Sequence, residues 1–282
     1  MRIRSSAFYF FRLNQEVDIL IKVIVSGAFG KMGRAVLNAV YHDPELELVG
    51  AVDVNSGEDI GDLIGVAKTG IIVDSDLQNV INNVKPDVMV DFTRPAVVME
   101  NVRIALKNSV CPVIGTTGLS DDDKNEINKL CEGNNKGAFI APNFAIGAVL
   151  MIKLSTEVAK YLPNVEIIEL HHDQKLDAPS GTALRTAELI SEVRKSMPQG
   201  HPDEVEKIPG SRGGDFDGIR IHSVRLPGYV AHQEVIFGGL GQTLTIRHDS
   251  INRDSFMPGV VLACKKVVNL EGLVCGLENI LD

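Results

Sequence analysis

The chain has 282 residues, 44% of them hydrophobic, which fits a soluble globular protein with room for two domains. Its formal net charge is -9, with lysines and arginines scattered and no basic block, so charge argues against a nucleic-acid surface. No apolar run approaches the ~20 residues of a membrane span, and four cysteines at 111, 131, 264 and 275, without C-x-x-C pairing, fit a reducing cytosol.

Residues 1–12 carry three arginines and no acid around Phe8, Tyr9, Phe10 and Phe11. That apolar core is too short for a secretory signal. Residues 1–19 read as an extension outside the fold, of the kind a misplaced start codon gives, with the native chain expected to begin near Leu20.

The run Ile19-Leu20-Ile21-Lys22-Val23-Ile24-Val25 predicts a strand. It leads into Ser26-Gly27-Ala28-Phe29-Gly30-Lys31-Met32-Gly33-Arg34, and a helical pattern follows through Val36, Leu37 and Val40. Strand, glycine turn and helix are the context of a dinucleotide fingerprint. Gly27 permits the tight turn, Gly30 the approach of a pyrophosphate, and Gly33 close helix–strand packing. The spacing is G-x-x-G-x-x-G, a departure from the common G-x-G-x-x-G. A second strand predicted over 46–52 runs into Asp53, placed to accept hydrogen bonds from an adenosine ribose. Asp53 repels a 2′-phosphate and Val54 adds no positive charge, which favours NADH, while Lys31 and Arg34 are cations that could attract the phosphate of NADPH.

Further strands predicted over 71–73, 87–91, 112–115 and 138–141 alternate with helices that include 95–108 and 121–133, the pattern of parallel βαβ units. Asp91-Phe92-Thr93-Arg94-Pro95 and Gly115-Thr116-Thr117-Gly118 follow strands at the edge where open α/β sheets bind ligands. Both are expected to line the cofactor cleft. After Ala141-Pro142-Asn143-Phe144 comes a helix predicted over 146–161.

The texture then changes. Runs at 165–171, 219–225, 231–237 and 242–248 alternate polar and apolar residues. The turns Leu226-Pro227-Gly228-Tyr229 and Gly238-Gly239-Leu240-Gly241 are expected to join consecutive strands into a largely antiparallel or mixed sheet. Residues 197–218 read as a mobile loop, and 255–270 as a final helix. The fold class is α/β: a Rossmann-type parallel sheet domain plus an α+β domain with a mixed or antiparallel sheet.

The second domain carries Glu169-Leu170-His171-His172-Asp173-Gln174-Lys175-Leu176-Asp177-Ala178-Pro179-Ser180-Gly181-Thr182-Ala183. His171 and Lys175 lie four apart, on one side of the chain in strand or helix alike. Ser180 is the expected N-cap of a helix over 183–195, leaving the amides of Gly181, Thr182 and Ala183 free for an anion. Singly, these features also read as a structural histidine pair, a solvated lysine and a plain helix start. Together, and beside a dinucleotide site, they describe an active site for a small acidic substrate. His222, His232 and His248 show no metal-ligand spacing, and no metal is expected.

Val25 to Gly33, Asp91 to Pro95, Gly115 to Gly118, Ala141 to Phe144, Glu169 to Ala183, His222-Ser223-Val224-Arg225-Leu226-Pro227-Gly228 and His232-Gln233-Glu234-Val235-Ile236-Phe237-Gly238 resemble the 4-hydroxy-tetrahydrodipicolinate reductase (dihydrodipicolinate reductase) family. The resemblance is collinear from about Leu20 to the C-terminus. It implies a cytoplasmic homotetramer of lysine and diaminopimelate biosynthesis that reduces a small dicarboxylic heterocycle with NADH or NADPH. It implies His171 as proton donor and acceptor, Lys175 as proton donor, and His172, Gly181 and Thr182 as substrate contacts. The cofactor would be held by Gly27, Ala28, Phe29, Gly30, Lys31, Met32, Asp53, Gly115, Thr116, Thr117, Ala141, Pro142, Asn143 and Phe144. Some members carry an arginine where this chain has Val54. Residues 20–143 and 253–282 would form the dinucleotide-binding domain, and 144–252 the substrate-binding and oligomerisation domain. Two other readings are another two-domain imine-reducing dehydrogenase and a dinucleotide sensor without catalysis. The first has no need of a second carboxylate cradle, and the second could dispense with His171 and Lys175.

Overall fold

The computed structural model describes residues 20–195 and 197–281, so the extension expected over 1–19 lies outside the described residues. In chain order the elements are β1 (Ile21–Ser26), α1 (Lys31–His42), β2 (Leu46–Val52), α2 (Ile60–Ile64), α3 (Leu77–Val84), β3 (Val88–Asp91), α4 (Pro95–Lys107), β4 (Cys111–Ile114), α5 (Asp121–Asn134) and β5 (Gly137–Ile140). They continue with α6 (Ile146–Ala159), β6 (Asn164–His171), α7 (Gly181–Val193), β7 (Gly214–Phe216), β8 (Ile219–Arg225), β9 (Ala231–Gly239), β10 (Gln242–Ser250), α8 (Met257–Val267) and β11 (Gly272–Cys275).

The first sheet is parallel throughout, in the order β11-β5-β4-β3-β1-β2. Its central strands are continuously apolar because helices cover both faces. Val23 and Val25 pack with α1 and α8 on one face, whereas Ile24 and Met89 pack with α3 and α4 on the other. Strand β1 lies between β2 and β3, so the chain reverses its direction of travel across the sheet there. That switch point is where such sheets bind ligands.

The second sheet has the order β10-β9-β6-β8-β7. Strand β6 is parallel to β8 and antiparallel to β9, and the remaining pairs are antiparallel. Helices α6 and α7 cover one face through Met151, Ala183, Ala187 and Ile190, over Val165, Ile167, Ile221 and Phe237. Among the described residues no helix covers the other face, where Ile168, Leu170, Val224 and Ile236 are half-buried. After β10 the chain returns to the first sheet: α8 packs into its core and β11 pairs with β5. Among the described residues no helix is long and apolar enough to cross a membrane.

Three local expectations change. Residues 71–73 form isolated bridges, Val52 with Asp74 and Asp59 with Ile72, instead of a strand. The Asp59 carboxylate accepts hydrogen bonds from the amides of Gly61, Thr69 and Gly70 and from Thr69 Oγ1, and so organises a loop where a ladder was expected. Turn 226–229 does not close a hairpin, because β6 lies between β8 and β9. The stretch 197–218 contains β7 and is tied to the sheet: Arg212 pairs with Glu166 at 2.6 Å, and Gln199 Nε2 donates to Val165 O at 2.8 Å. Strand β11 was not anticipated.

Candidate active site

Gly27 ends β1 with φ +88, a conformation open to glycine, and an added Cβ would meet Phe92 O at 2.6 Å. At Gly33 a Cβ would stand 1.9 Å from Gly27 O, so α1 seats on the turn only without a side chain there. Gly30 is the N-cap of α1. No side chain caps the helix, and its first turn holds no acid, which leaves a positive helix end facing the switch point. At the tip of β2, Asp53 accepts from Phe29 N at 3.0 Å and from Asn55 N at 3.2 Å, and Val54 is 79% exposed. An uncapped helix end, glycines at the close approaches of the turn and an acid beside them fit a dinucleotide.

Two further loops at this edge are held by a buried carboxylate. Asp91 accepts from Thr93 N (3.0 Å), Thr93 Oγ1 (2.7 Å), Thr116 Oγ1 (2.7 Å) and Asn101 Nδ2 (2.8 Å). The hydroxyl of Thr116 therefore points into the protein, while Thr117 is exposed. A Cβ on Gly115 would meet the Phe92 ring at 2.1 Å. Phe144, buried, packs against Phe92 and Phe139 with ring centroids 5.8 and 5.9 Å away. Asn143 Oδ1 accepts from Ala145 N at 2.9 Å and so sets the start of α6.

The opposing groups come from β6. Glu169 and His171 are two apart on this strand and so share a face. Glu169 is fully buried and accepts from both guanidinium nitrogens of Arg225 (2.9 and 2.7 Å), from Ser180 N (3.3 Å) and from Nδ1 of His171 (2.5 Å). Burial alone would raise its pKa, but the hydrogen bonds from Arg225, Ser223 and His171 outweigh it and hold the carboxyl below the ordinary value. A carboxylate only accepts, so Nδ1 of His171 carries the proton and Nε2 is left to exchange one. Burial lowers the pKa of His171; Glu169 opposes that, and the charges of Lys175 and Arg225 add to it.

Beyond His171 the chain leaves the strand through a turn in which Lys175 N donates to His172 O. The proximity of Lys175 to His171 thus comes from this turn, not from strand or helix periodicity. The Lys175 amine pairs with Asp177 Oδ1 at 2.7 Å, and His172 is exposed. Ser180 caps α7 as expected, but its hydroxyl takes the amide of Ala183 at 3.2 Å. Only the amides of Gly181 and Thr182 are left for an anion, a correction to the expected three.

One recess collects these parts. Asn143, His171, Ser180 and Thr182 line it, together with Gln233, His232, His248 and Phe256. Lys175, His172 and Gly181 lie outside its lining. Sequence reasoning missed Arg225 as the partner of Glu169, and Gln233 and His248 as wall residues. The register of β6 with β8 and β9, and of β9 with β10, creates those neighbours, and no local spacing encodes it.

Fold and site together define a two-lobed NAD(P)H-dependent oxidoreductase. Family models for the dihydrodipicolinate reductase N-terminus and C-terminus match residues 21–144 and 147–281, and the chain belongs to that family. It is 58% identical over 264 residues to the 4-hydroxy-tetrahydrodipicolinate reductase of Desulfitobacterium hafniense (strain DSM 10664 / DCB-2), covering 93% of this chain and 99% of that one. Identity to the enzyme of the same name from Syntrophomonas wolfei is 57% over 261 residues, 92% of this chain and 98% of the other. The solved dipicolinate-bound dihydrodipicolinate reductase of Paenisporosarcina sp. TG-14 superposes with a TM-score of 0.84 at 50% identity, covering 93% of this chain and all of that one.

Proposed function

We propose that this chain reduces 4-hydroxy-tetrahydrodipicolinate to tetrahydrodipicolinate with NAD(P)H, in lysine and diaminopimelate biosynthesis. The observation that carries the reading is the shared recess: Asn143 of the cofactor-side loop and His171 and Thr182 of the second lobe face one space. Gly27 to Met32, Asp53, Gly115 to Thr117 and Ala141 to Phe144 would hold the dinucleotide, which supplies a hydride when bound. The remaining chemistry is proton delivery, departure of the ring's 4-hydroxyl as water, and carboxylate binding. Glu169 keeps Nδ1–H of His171 in place, so proton exchange is confined to Nε2. Gly181 and Thr182 offer their amides to one substrate carboxylate, with His172 nearby. Lys175 exchanges Asp177 for the substrate and donates a proton.

Residues 20–143 with 253–282 act as the dinucleotide-binding domain, and 144–252 as the substrate-binding and oligomerisation domain. The uncovered face of the second sheet supports a homotetramer, since half-buried Ile168, Leu170, Val224 and Ile236 lie ready for a second copy. The enzyme is assigned to the cytoplasm. Asp53 followed by Val54 favours NADH.

The test is oxidation of NADH, then of NADPH, with the heterocycle generated in place by its synthase and a control without it. Substrate-dependent oxidation is expected, faster with NADH. No oxidation of either cofactor overturns the reading.

A further inference from the structure

The recess has a corner that neither the proton donors nor the carboxylate cradle uses. His248 and Gln233 are paired positions on β10 and β9, and both line the recess beside His171. Thr186 donates its hydroxyl to Thr182 O at 2.7 Å, so its oxygen can only accept from Gln233 Nε2, 2.9 Å away. This fixes the amide. Gln233 turns its nitrogen toward α7 and its oxygen away from it.

Gln233 is 4% exposed, and its Oε1 has no hydrogen-bond partner among the described residues. Buried acceptors are normally satisfied, by water or ligand where the protein does not do so. The imidazole of His248 likewise has no hydrogen-bond partner among the described residues. Packing fixes the ring: a Cβ at Gly147 would meet its Cδ2 at 2.6 Å and its Nε2 at 3.0 Å. Burial lowers the pKa of His248, which keeps the ring neutral with one N–H to donate.

An unmet acceptor beside an unmet N–H calls for a ligand group that donates one hydrogen bond and accepts another. A hydroxyl does both. A carboxylate only accepts, and it would face the amide oxygen of Gln233 with like charge. Resting on the reading that the heterocycle is the substrate, we propose that His248 and Gln233 form the subsite for its 4-hydroxyl group and set specificity for the hydroxylated ring.

The test compares ligands with and without that group. The unaltered protein, His248→Ala and Gln233→Met are assayed with the synthase-generated heterocycle and titrated with pyridine-2,6-dicarboxylate, which lacks the hydroxyl. Each variant is expected to lose about tenfold in kcat/KM for the heterocycle while its affinity for pyridine-2,6-dicarboxylate and for NADH stays within about twofold. Gln233→Met keeps the volume of the side chain and removes the orphan oxygen together with the Nε2 donor to Thr186, so it carries the test if His248→Ala does not fold. Equal losses for both ring ligands, a loss confined to NADH, or no loss overturns the subsite. Failure of the unaltered protein to oxidise either cofactor is a separate result, which overturns the underlying reading before any variant is compared.

Discussion

Oε2 of Glu169 lies 2.5 Å from Nδ1 of His171, and the same carboxylate takes two hydrogen bonds from Arg225. A fully buried anion thus holds one tautomer of the imidazole that faces the recess. Replacing Glu169 with glutamine keeps the shape but presents an amide able to donate to Nδ1, which favours the opposite tautomer. Glu169→Gln is expected to lower kcat on the order of 10²-fold, at the low end of what a positioned acid–base group contributes. It also costs about 3 kcal/mol of stability, because the partner of Arg225 loses its charge. Steady-state kinetics and a thermal melt measure both, and an unchanged kcat removes Glu169 from the mechanism.

Stability is expected to fall on mild acidification. His171 and His248 both have pKa values lowered from 6.5 by burial. Between the folded and unfolded values the unfolded chain binds more protons, so stability rises with pH there and levels off above about 6.5. The thermal midpoint should be flat from pH 8 to pH 7 and decline below 6.5. A midpoint that climbs as pH drops from 7 to 5.5 contradicts buried neutral imidazoles.

Lys175 tests chemistry apart from folding. Its ion pair with Asp177 is open to solvent on the acid side, and such pairs contribute about 0–1 kcal/mol. Lys175→Ala should therefore melt near the unaltered protein and bind NADH equally well, yet lose nearly all turnover. A kcat near that of the unaltered protein excludes the amine from proton transfer.

Cofactor choice is expected to turn on the residue after Asp53. Val54 is 79% exposed, so an arginine there meets no packing obstacle. Val54→Arg should raise kcat/KM for NADPH by about tenfold, the size of one added charge-assisted hydrogen bond to phosphate. Initial rates with both cofactors measure the ratio. No change places the discrimination elsewhere.

Much of this molecule is legible in its sequence because the signals are local. Strand β2 spans the expected 46–52, since its largely apolar run ends at a turn-forming acid. Ser180 caps α7 because a hydroxyl before a glycine–threonine start has one nearby amide to satisfy. What escaped depends on register. Glu169 meets Arg225 across 56 residues, and Gln233 faces His248 only because β9 and β10 pair in that frame. Strand β11, four residues long, is a strand because the edge of β5 is open to it. The turn at 226–229 has hairpin chemistry, yet insertion of β6 makes it a crossover.

The chain crosses between the lobes twice, from β5 into α6 and from β10 into α8. The two crossings touch: Phe144 O lies where a Cβ on Gly259 would come within 2.0 Å of it. A pair of tethers side by side behaves like a door hung on two pins. Swinging about the line through both is the motion that strains neither, whereas twist or slide must stretch one. Rotation about that line is the relative motion that two adjacent crossings oppose least, and the recess lined by Asn143 and His171 lies where such a rotation would act.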